Sequence, residues 1–151
     1  MDAAPNSLAH PGASWSPYRG RRLPIPRSRA GLTEAEARQN HRAARMSMSV
    51  MPMERVDRAM VQNDTEDFIK VVHKKGGTVV GVTVVAERAG EIIHEWVLAI
   101  SNGLKMRDLA GTVHVYPTYS IANQQLASDY SLASFLGGRA GNVLRRLGGL
   151  K

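Results

Sequence analysis

The sequence predicts an α+β domain in which helices pack against a mainly antiparallel sheet. Two observations carry this prediction. Residues 68–85 have the composition and central turn of a β-hairpin, and residues 86–102 repeat apolar side chains at helical spacing. With 151 residues, the chain is long enough to bury one hydrophobic core.

The two ends of the chain differ from its middle. Residues 1–30 are rich in Pro, Ser, Ala and Arg without periodicity, which predicts a disordered leader. Thr33 and Glu36 have capping-box spacing, so a helix of about ten residues should begin there. We expect one domain over residues 31–136, followed by a flexible basic tail at 137–151.

Three strands are predicted next. Residues 46–53 alternate loosely, and Pro52 restricts them to an edge or an end of the sheet, with their methionines filling gaps in the core. Phe68–His73 and Thr78–Val85 are rich in β-branched residues. The turn residues Lys74–Gly77 join them into a hairpin.

Helices dominate the rest of the chain. The clearest is Ala86–Asn102, which Gly103 should terminate. Its apolar face consists of Ala89, Ile92, Ile93, Trp96, Val97 and Ile100. A short helix at Met106–Ala110 should lead to a strand at Thr112–Val115. Ser120 should then cap a helix whose apolar side carries Ala122, Leu126, Tyr130 and Ala133.

The net charge of +7 suggests nucleic-acid binding, but its distribution argues against that function. Residues 1–30 carry five arginines and one acid, and residues 131–151 carry four basic residues and no acid. The middle is therefore nearly neutral, and aromatic side chains for base stacking are scarce. A small basic nucleic-acid-binding protein remains an alternative that rests on the tails alone.

Other classes of protein are excluded or disfavoured by composition. The chain has no cysteine, which excludes disulfides and thiolate chemistry. No apolar run approaches the roughly 18 residues of a membrane span, and no secretory signal opens the sequence. We therefore expect a cytoplasmic protein without membrane contact.

Two motifs resemble known sites without their context. Glu91 and His94 have the spacing found in di-iron bundles, but a second copy of the motif is missing, and an ion pair of His94 with Glu95 is the simpler interpretation. The glycines of residues 137–141 follow a helix and lack the Lys-Ser/Thr ending of a phosphate loop. We predict no metal site.

The segment His114–Ser120 is the remaining functional candidate, because it joins a predicted strand to a helix. Pro117 fixes its own backbone and pushes Tyr116 into an extended conformation, and the bond between them can be cis. His114 and Tyr116 are therefore candidate functional side chains. The alternative interpretation is a capped turn with a half-buried tyrosine.

Five segments of the sequence resemble the pyridine nucleotide–disulfide oxidoreductases in their C-terminal dimerisation domain. They occur in the family's order and are Gly31–Ala37, Asp64–Val71, Ala89–Glu95, Ala99–Leu104 and His114–Thr118. The resemblance implies a homodimer formed through residues 68–103 and 112–136. It also implies that the strand-to-helix junction enters the partner's active site, beside its flavin and redox disulfide.

The sequence departs from the family at two positions of the motif His-x-His-Pro-Thr-x-x-Glu. Tyr116 stands where the acid–base histidine is expected, and Ile121 stands where the glutamate is expected. The resemblance thus makes Tyr116 and His114 the candidate catalytic residues, with Tyr116 and Pro117 near the partner's flavin. A phenol, with a pKa of about 10, is a poor proton shuttle at neutral pH. The tyrosine looks more like the mercuric-reductase-like branch, although that branch's C-terminal cysteine pair is missing.

The chain itself lacks the family's Gly-x-Gly-x-x-Gly segment and cysteine pair. We therefore expect it to bind no cofactor alone, whereas the parent enzyme would use FAD and NAD(P)H. We interpret it as an isolated dimerisation domain without catalysis of its own. Our hypothesis is a truncated or frameshifted parent gene, with residues 1–30 read out of frame. The alternative is one subunit of a split reductase that acts with a separate FAD/NAD(P)-binding chain.

Overall fold

A computed structural model describes residues 27–40 and 45–138 of the chain. The elements are β1 (Arg27–Gly31), α1 (Glu34–Asn40), β2 (Met46–Pro52), α2 (Asp57–Gln62), β3 (Phe68–Lys74), β4 (Val79–Val85), α3 (Ala89–Ser101), α4 (Met106–Ala110) and α5 (Ile121–Gly137). The four strands form one sheet in the order β1-β4-β3-β2, and every neighbouring pair is antiparallel. The predicted α+β class is confirmed.

The central hairpin of β3 and β4 forms as predicted. The Lys74 backbone N–H donates to the Thr78 carbonyl at 2.9 Å, and Gly77 adopts a φ of 86°, which a residue without a Cβ tolerates. β2 lies at one edge of the sheet, and Pro52 is its last residue. The predicted edge position of this segment is therefore confirmed.

The other edge strand, β1, corrects the predicted start of the domain. Its register runs from Arg27 opposite Val85 to Gly31 opposite Gly81, so the leader prediction is wrong for residues 27–30. The buried side chains of this strand are the small Ser28 and Ala30, which give almost no hydrophobic signal. Residues 1–26 lie outside the described part of the chain.

Gly81 allows the chain to leave β1 across the face of β4. Immediately after β1, the Leu32 N–H donates to the Val80 carbonyl at 2.9 Å. The Leu32 backbone therefore passes so close to Gly81 that a Cβ at this position would collide with it. Gly31 turns the chain there with a φ of 67°. Glycine is required at position 81 because another backbone occupies the space of a side chain.

The strand predicted at Thr112–Val115 does not form. This segment is irregular, it pairs with none of the described strands, and Val113 and Val115 are exposed. Alternating β-branched residues favour a strand only where a neighbouring strand supplies hydrogen bonds and a face to pack on. Neither is present here among the described residues.

The capping box at the start of α1 is confirmed. The Thr33 N–H donates to the Glu36 carboxylate at 2.7 Å, and the Glu36 N–H donates to the Thr33 hydroxyl at 3.1 Å. The described helix has seven residues, and residues 41–44 lie outside the described part, so the predicted length is not tested.

The later helices differ from the predictions mainly at their ends. α3 begins at Ala89 rather than Ala86 and ends one residue early, and Gly103 follows with a left-handed φ of 64°. Ser120 precedes α5, but its side chain makes no capping hydrogen bond. α5 extends to Gly137, the first residue of the tail predicted at 137–151, and residues 139–151 lie outside the described part of the chain. None of the described helices is both long and apolar enough to cross a membrane.

The core lies where α3 and α5 meet the sheet. The predicted apolar face of α3 is confirmed, with Trp96 fully buried at its centre and Val97 and Ile100 partly buried. Met51 and Met53 are also fully buried, which confirms the gap-filling role for these two methionines, whereas Met48 is exposed. On α5, the predicted core position Ala133 is exposed as well.

His73 is a buried polar residue of β3. Its Nε2 lies 3.0 Å from the Ser49 hydroxyl, its Nδ1 lies 3.0 Å from the Lys74 carbonyl, and its ring packs edge-on against Tyr130. Burial lowers the pKa of His73, and the hydrogen bond to the Lys74 carbonyl opposes this shift without cancelling it. The folded protein therefore holds this imidazole in its neutral form.

We predict that His73 makes the fold acid-sensitive. Because its pKa is lowered on folding, the free energy of unfolding should decrease as the pH falls below the ordinary histidine value of about 6.5. His73→Gln should reduce the loss of stability between pH 7 and pH 5 by about 1 kcal/mol in urea unfolding. His94→Gln, at an exposed position, is the control and should keep the wild-type pH dependence. An unchanged pH dependence in His73→Gln would contradict the prediction.

Candidate functional site

The candidate site is the segment of residues 112–120, which connects α4 to α5 and which we call the junction loop. The bond between Tyr116 and Pro117 is cis. Side-chain hydrogen bonds connect the loop to three other parts of the chain through His114, Tyr116 and Tyr119. Each of these three side chains meets a carboxylate, so the loop is held by acidic partners.

His114 connects the junction loop to α3. Its Nε2 lies 2.9 Å from a carboxylate oxygen of Glu95, and its Nδ1 lies 3.0 Å from the Thr112 carbonyl. Burial alone lowers the pKa of His114, but the hydrogen bonds to Glu95 and Thr112 and the charge of Glu95 outweigh it, so the pKa is raised. Since both partners are acceptors, the doubly protonated imidazolium satisfies both of them at once.

Glu95 is itself held by α5. Asn123 is fully buried, and its amide donates to the Glu95 carboxylate at 2.8 Å and to the Ile92 carbonyl at 3.0 Å. The Asn123 carbonyl oxygen accepts from the Trp96 indole at 2.6 Å. The predicted pairing of Glu95 with His94 is therefore wrong, because neighbouring residues on a helix point away from each other and Glu95 faces the loop.

Tyr116 is held by α2. Its hydroxyl donates to the Asp57 carboxylate at 2.6 Å, while the side chain remains 62% exposed. The hydrogen bond and the charge of Asp57 raise the pKa of Tyr116. At neutral pH this phenol is therefore protonated and can act as a hydrogen-bond donor. Ile121 is partly buried against the core, so Asp57 is the carboxylate that orients this side chain.

Tyr119 enters the core and places its hydroxyl among carboxylates. It is 3.5 Å from Glu87, and the Asp64 carboxylate accepts from the Glu87 backbone N–H at 3.2 Å. Burial, followed by the charges of Asp64 and Glu87, raises the pKa of Tyr119 to about 12. This hydroxyl is therefore a structural contact that anchors the end of the junction loop.

Asp67 is the least satisfied group near the site. It is 3% exposed, and neither of its carboxyl oxygens accepts a hydrogen bond from the described residues. Burial and then the neighbouring Asp64 carboxyl raise its pKa to about 7, with a smaller contribution from Glu66. Burial disfavours the charged form of Asp67, and the nearby negative charges of Asp64 and Glu66 disfavour it further, so the folded state favours protonated Asp67.

The motif that resembled a metal site, Glu91 with His94, does not belong to a larger cluster of ligands in the described part of the chain. Glu91 and His94 are both exposed, and the Glu91 carboxylate lies 3.6 Å from the guanidinium of Arg88. Within residues 27–40 and 45–138, no three acidic or histidine side chains lie close enough together to hold a metal ion.

Sequence patterns identified the junction loop but missed three residues that position it. Asp57, Glu95 and Asn123 are all polar, and two of them are distant from the loop in sequence. Asn123 carried the one usable signal, because it lies beside Ala122 on the apolar side of a predicted helix. A polar residue in such a place indicates a buried hydrogen-bond network.

The described fold agrees with comparisons to known proteins. Residues 24–127 match the family described as the pyridine nucleotide-disulphide oxidoreductase dimerisation domain. A mercuric reductase of Serratia marcescens is 39% identical over 58% of this chain and 19% of its own length. A dihydrolipoyl dehydrogenase of Haloferax volcanii is 32% identical over 66% of this chain and 21% of its own length. The chain thus spans about a fifth of these relatives.

Solved structures support the same fold. LpdA from Mycobacterium tuberculosis superimposes with a TM-score of 0.65 at 22% identity, over 78% of this chain and 24% of that protein. The HOCl-induced flavoprotein disulfide reductase RclA from Escherichia coli superimposes with a TM-score of 0.62 at 26% identity, over 68% of this chain and 23% of that protein. Both superpositions cover the α+β domain described above.

We predict that the charge of Glu95 stabilises the fold most at low pH. The pKa of His114 is raised on folding, so this stabilisation is complete below a pH of about 6.5 and is lost as the pH rises through the raised value. Glu95→Gln keeps the hydrogen-bond acceptor but removes the charge. It should cost about 1 kcal/mol more at pH 6 than at pH 9 in urea unfolding, and it should lower the pKa of His114 in an NMR titration. Glu91→Gln is the exposed control on the same helix, and an equal effect there would contradict the prediction.

We also predict that Asp67 destabilises the fold at alkaline pH. Because folding raises its pKa to about 7, stability should be lost as the pH rises from the ordinary aspartate range to about 7. Asp67→Asn removes the ionisation and should increase the free energy of unfolding by roughly 2 kcal/mol at pH 8, with a smaller gain at pH 5. Guanidinium unfolding at both pH values measures this difference. A gain that does not change with pH would show that Asp67 is not protonated on folding.

Proposed function

Since the chain belongs to the pyridine nucleotide-disulphide oxidoreductase family as a dimerisation domain, we propose that it pairs two subunits and delivers its junction loop to the partner's active site. In this proposal, residues 68–103 and 112–136 form the interface between copies. The chain contributes to a redox enzyme by assembly and by completing a site, and it performs no catalysis alone.

The observation that carries this proposal is the exposed apolar surface of residues 112–136. Val113 is 92% exposed and Val115 is 76% exposed, so two aliphatic side chains of the loop face solvent. Leu132, Phe135 and Leu136 are also exposed and have the spacing of one face of α5. Large exposed apolar surfaces of this kind mark protein interfaces.

Within such a dimer, Tyr116 would lie close to the partner's flavin, together with Pro117, and its hydroxyl would donate to the flavin only after leaving Asp57. Its exposed side chain and its protonated phenol support this role rather than proton transfer. His114 would act as a positioning residue, because both of its ring nitrogens are engaged by acceptors within the chain. A contribution of His114 to proton transfer would require that it leave Glu95.

The cofactors of the family, FAD and NAD(P)H, would be bound elsewhere in a complete enzyme. The chain contains no Gly-x-Gly-x-x-Gly segment that would hold a dinucleotide at a helix N-terminus, and no cysteine for a redox disulfide. Its own residues therefore do not fit a flavin site. A separate FAD-binding chain could supply the missing parts, and co-purification of a yellow partner would identify that arrangement.

Self-association tests the proposal. We expect the purified chain to sediment as a dimer in analytical ultracentrifugation, since an unpaired interface would expose apolar surface to water. The double variant Leu132→Glu/Phe135→Glu places charges on the proposed interface and should weaken the dimer by at least about 100-fold in Kd, since an unpaired buried charge costs several kcal/mol.

The matched control is Val61→Glu, at an exposed apolar position of α2 outside the proposed interface. It should leave the dimer constant unchanged within twofold. A wild-type chain that remains monomeric at millimolar concentration would overturn the proposal, and so would equal weakening by the control and the double variant.

A further inference from the structure

A cleft of about 560 Å³ lies beside the junction loop. Its walls come from α2, from the first turn of α3 and from the loop residues that lead into α5, and they include Arg58, Arg88, Ile92, Pro117 and Ser120. Small-molecule sites in proteins commonly have volumes of roughly 300 to 1,000 Å³. The cleft is therefore large enough for a small organic ligand.

The charges of the cleft favour an anion. Three charged side chains line the cleft, the cationic Arg58 and Arg88 and the anionic Glu91. The Arg88–Glu91 pair is 3.6 Å apart with both side chains mostly exposed, and such solvent-exposed ion pairs are weak. In the described part of the chain, no carboxylate lies within ion-pair distance of Arg58. Both arginines can therefore turn to an incoming oxyanion.

The remaining walls provide hydroxyl groups and an apolar surface. The Thr118 hydroxyl donates its proton to the Val115 carbonyl at 2.6 Å, so the Ser120 hydroxyl donates to Thr118 at 3.1 Å and can accept a hydrogen bond from a ligand. Ile92 and Pro117 are apolar and line the same space. A ligand with an anionic end and an apolar body would match the two arginines and this apolar surface.

We propose that this cleft binds a small molecule in which a phosphate or carboxylate group is attached to an apolar body, with Arg58 and Arg88 binding the oxyanion. Guanidinium groups bind both oxyanions through paired, charge-assisted hydrogen bonds, which gives the two ligand classes a shared chemistry. Ile92 and Pro117 contact the apolar body. This inference goes beyond the proposed dimer, because the cleft is formed by one chain, and it shares Pro117 with the surface proposed to lie near the partner's flavin.

The test titrates the full 151-residue chain with phenyl phosphate, phenylacetate and neutral benzyl alcohol at constant ionic strength, following backbone amide shifts by NMR. We expect saturable shifts at Ile92 and Ser120 with one or both anions and none with benzyl alcohol. The stronger of the two anions identifies the preferred oxyanion. Saturation by benzyl alcohol, or no saturation by either anion, would overturn the proposal.

Variants locate the binding groups. Arg58→Gln and Arg88→Gln should each weaken binding about tenfold, as expected for the loss of one charge-assisted hydrogen-bonding group. Glu91→Gln should tighten binding, because it removes the opposing carboxylate. Arg107→Gln removes the same charge from α4, outside the cleft, and should change the affinity by less than twofold. Equal weakening by Arg107→Gln, or no weakening by the other two arginine variants, would overturn the proposal. Sedimentation of the same samples reports separately on the dimer.

Discussion

The buried amide of Asn123 is the interaction on which the rest of the structure depends. It accepts from Trp96, donates to the Ile92 carbonyl and donates to Glu95, so it fixes α3 against α5 at three points. A buried donor or acceptor that loses its hydrogen-bond partner costs about 1 to 3 kcal/mol of folding stability. Here three such groups depend on the single side chain of Asn123. The packing of two helices and the orientation of His114 therefore depend on the same residue.

This network explains how an irregular segment can present side chains in a defined way. The junction loop receives no support from strand pairing, yet carboxylates from three separate parts of the chain hold His114, Tyr116 and Tyr119. Each of these contacts either is a charge-assisted hydrogen bond or buries part of the side chain that makes it. Together they anchor a short loop. Val113, just before these anchors, and Val115, between the first two of them, remain exposed to solvent.

The parts of the fold that sequence patterns predicted are those with repeated, local signals. The hairpin of β3 and β4 and the apolar face of α3 repeat over several residues, and both formed as predicted. β1 was missed because its inward side chains are small, and the strand at residues 112–115 was wrongly predicted because its β-branched residues have no partner strand. The contact of Asp57 with Tyr116 joins residues far apart in sequence, and no local pattern encodes such a pair.

The close passage of the Leu32 backbone over Gly81 has an evolutionary consequence. Every single-nucleotide missense change in a glycine codon introduces a residue larger than glycine, and each would place a Cβ where the Leu32 backbone lies. Drift at this codon is therefore confined to synonymous changes, unless the chain after β1 shifts at the same time. A substitution that persists at position 81 would consequently indicate a lineage in which the backbone after β1 follows a different path.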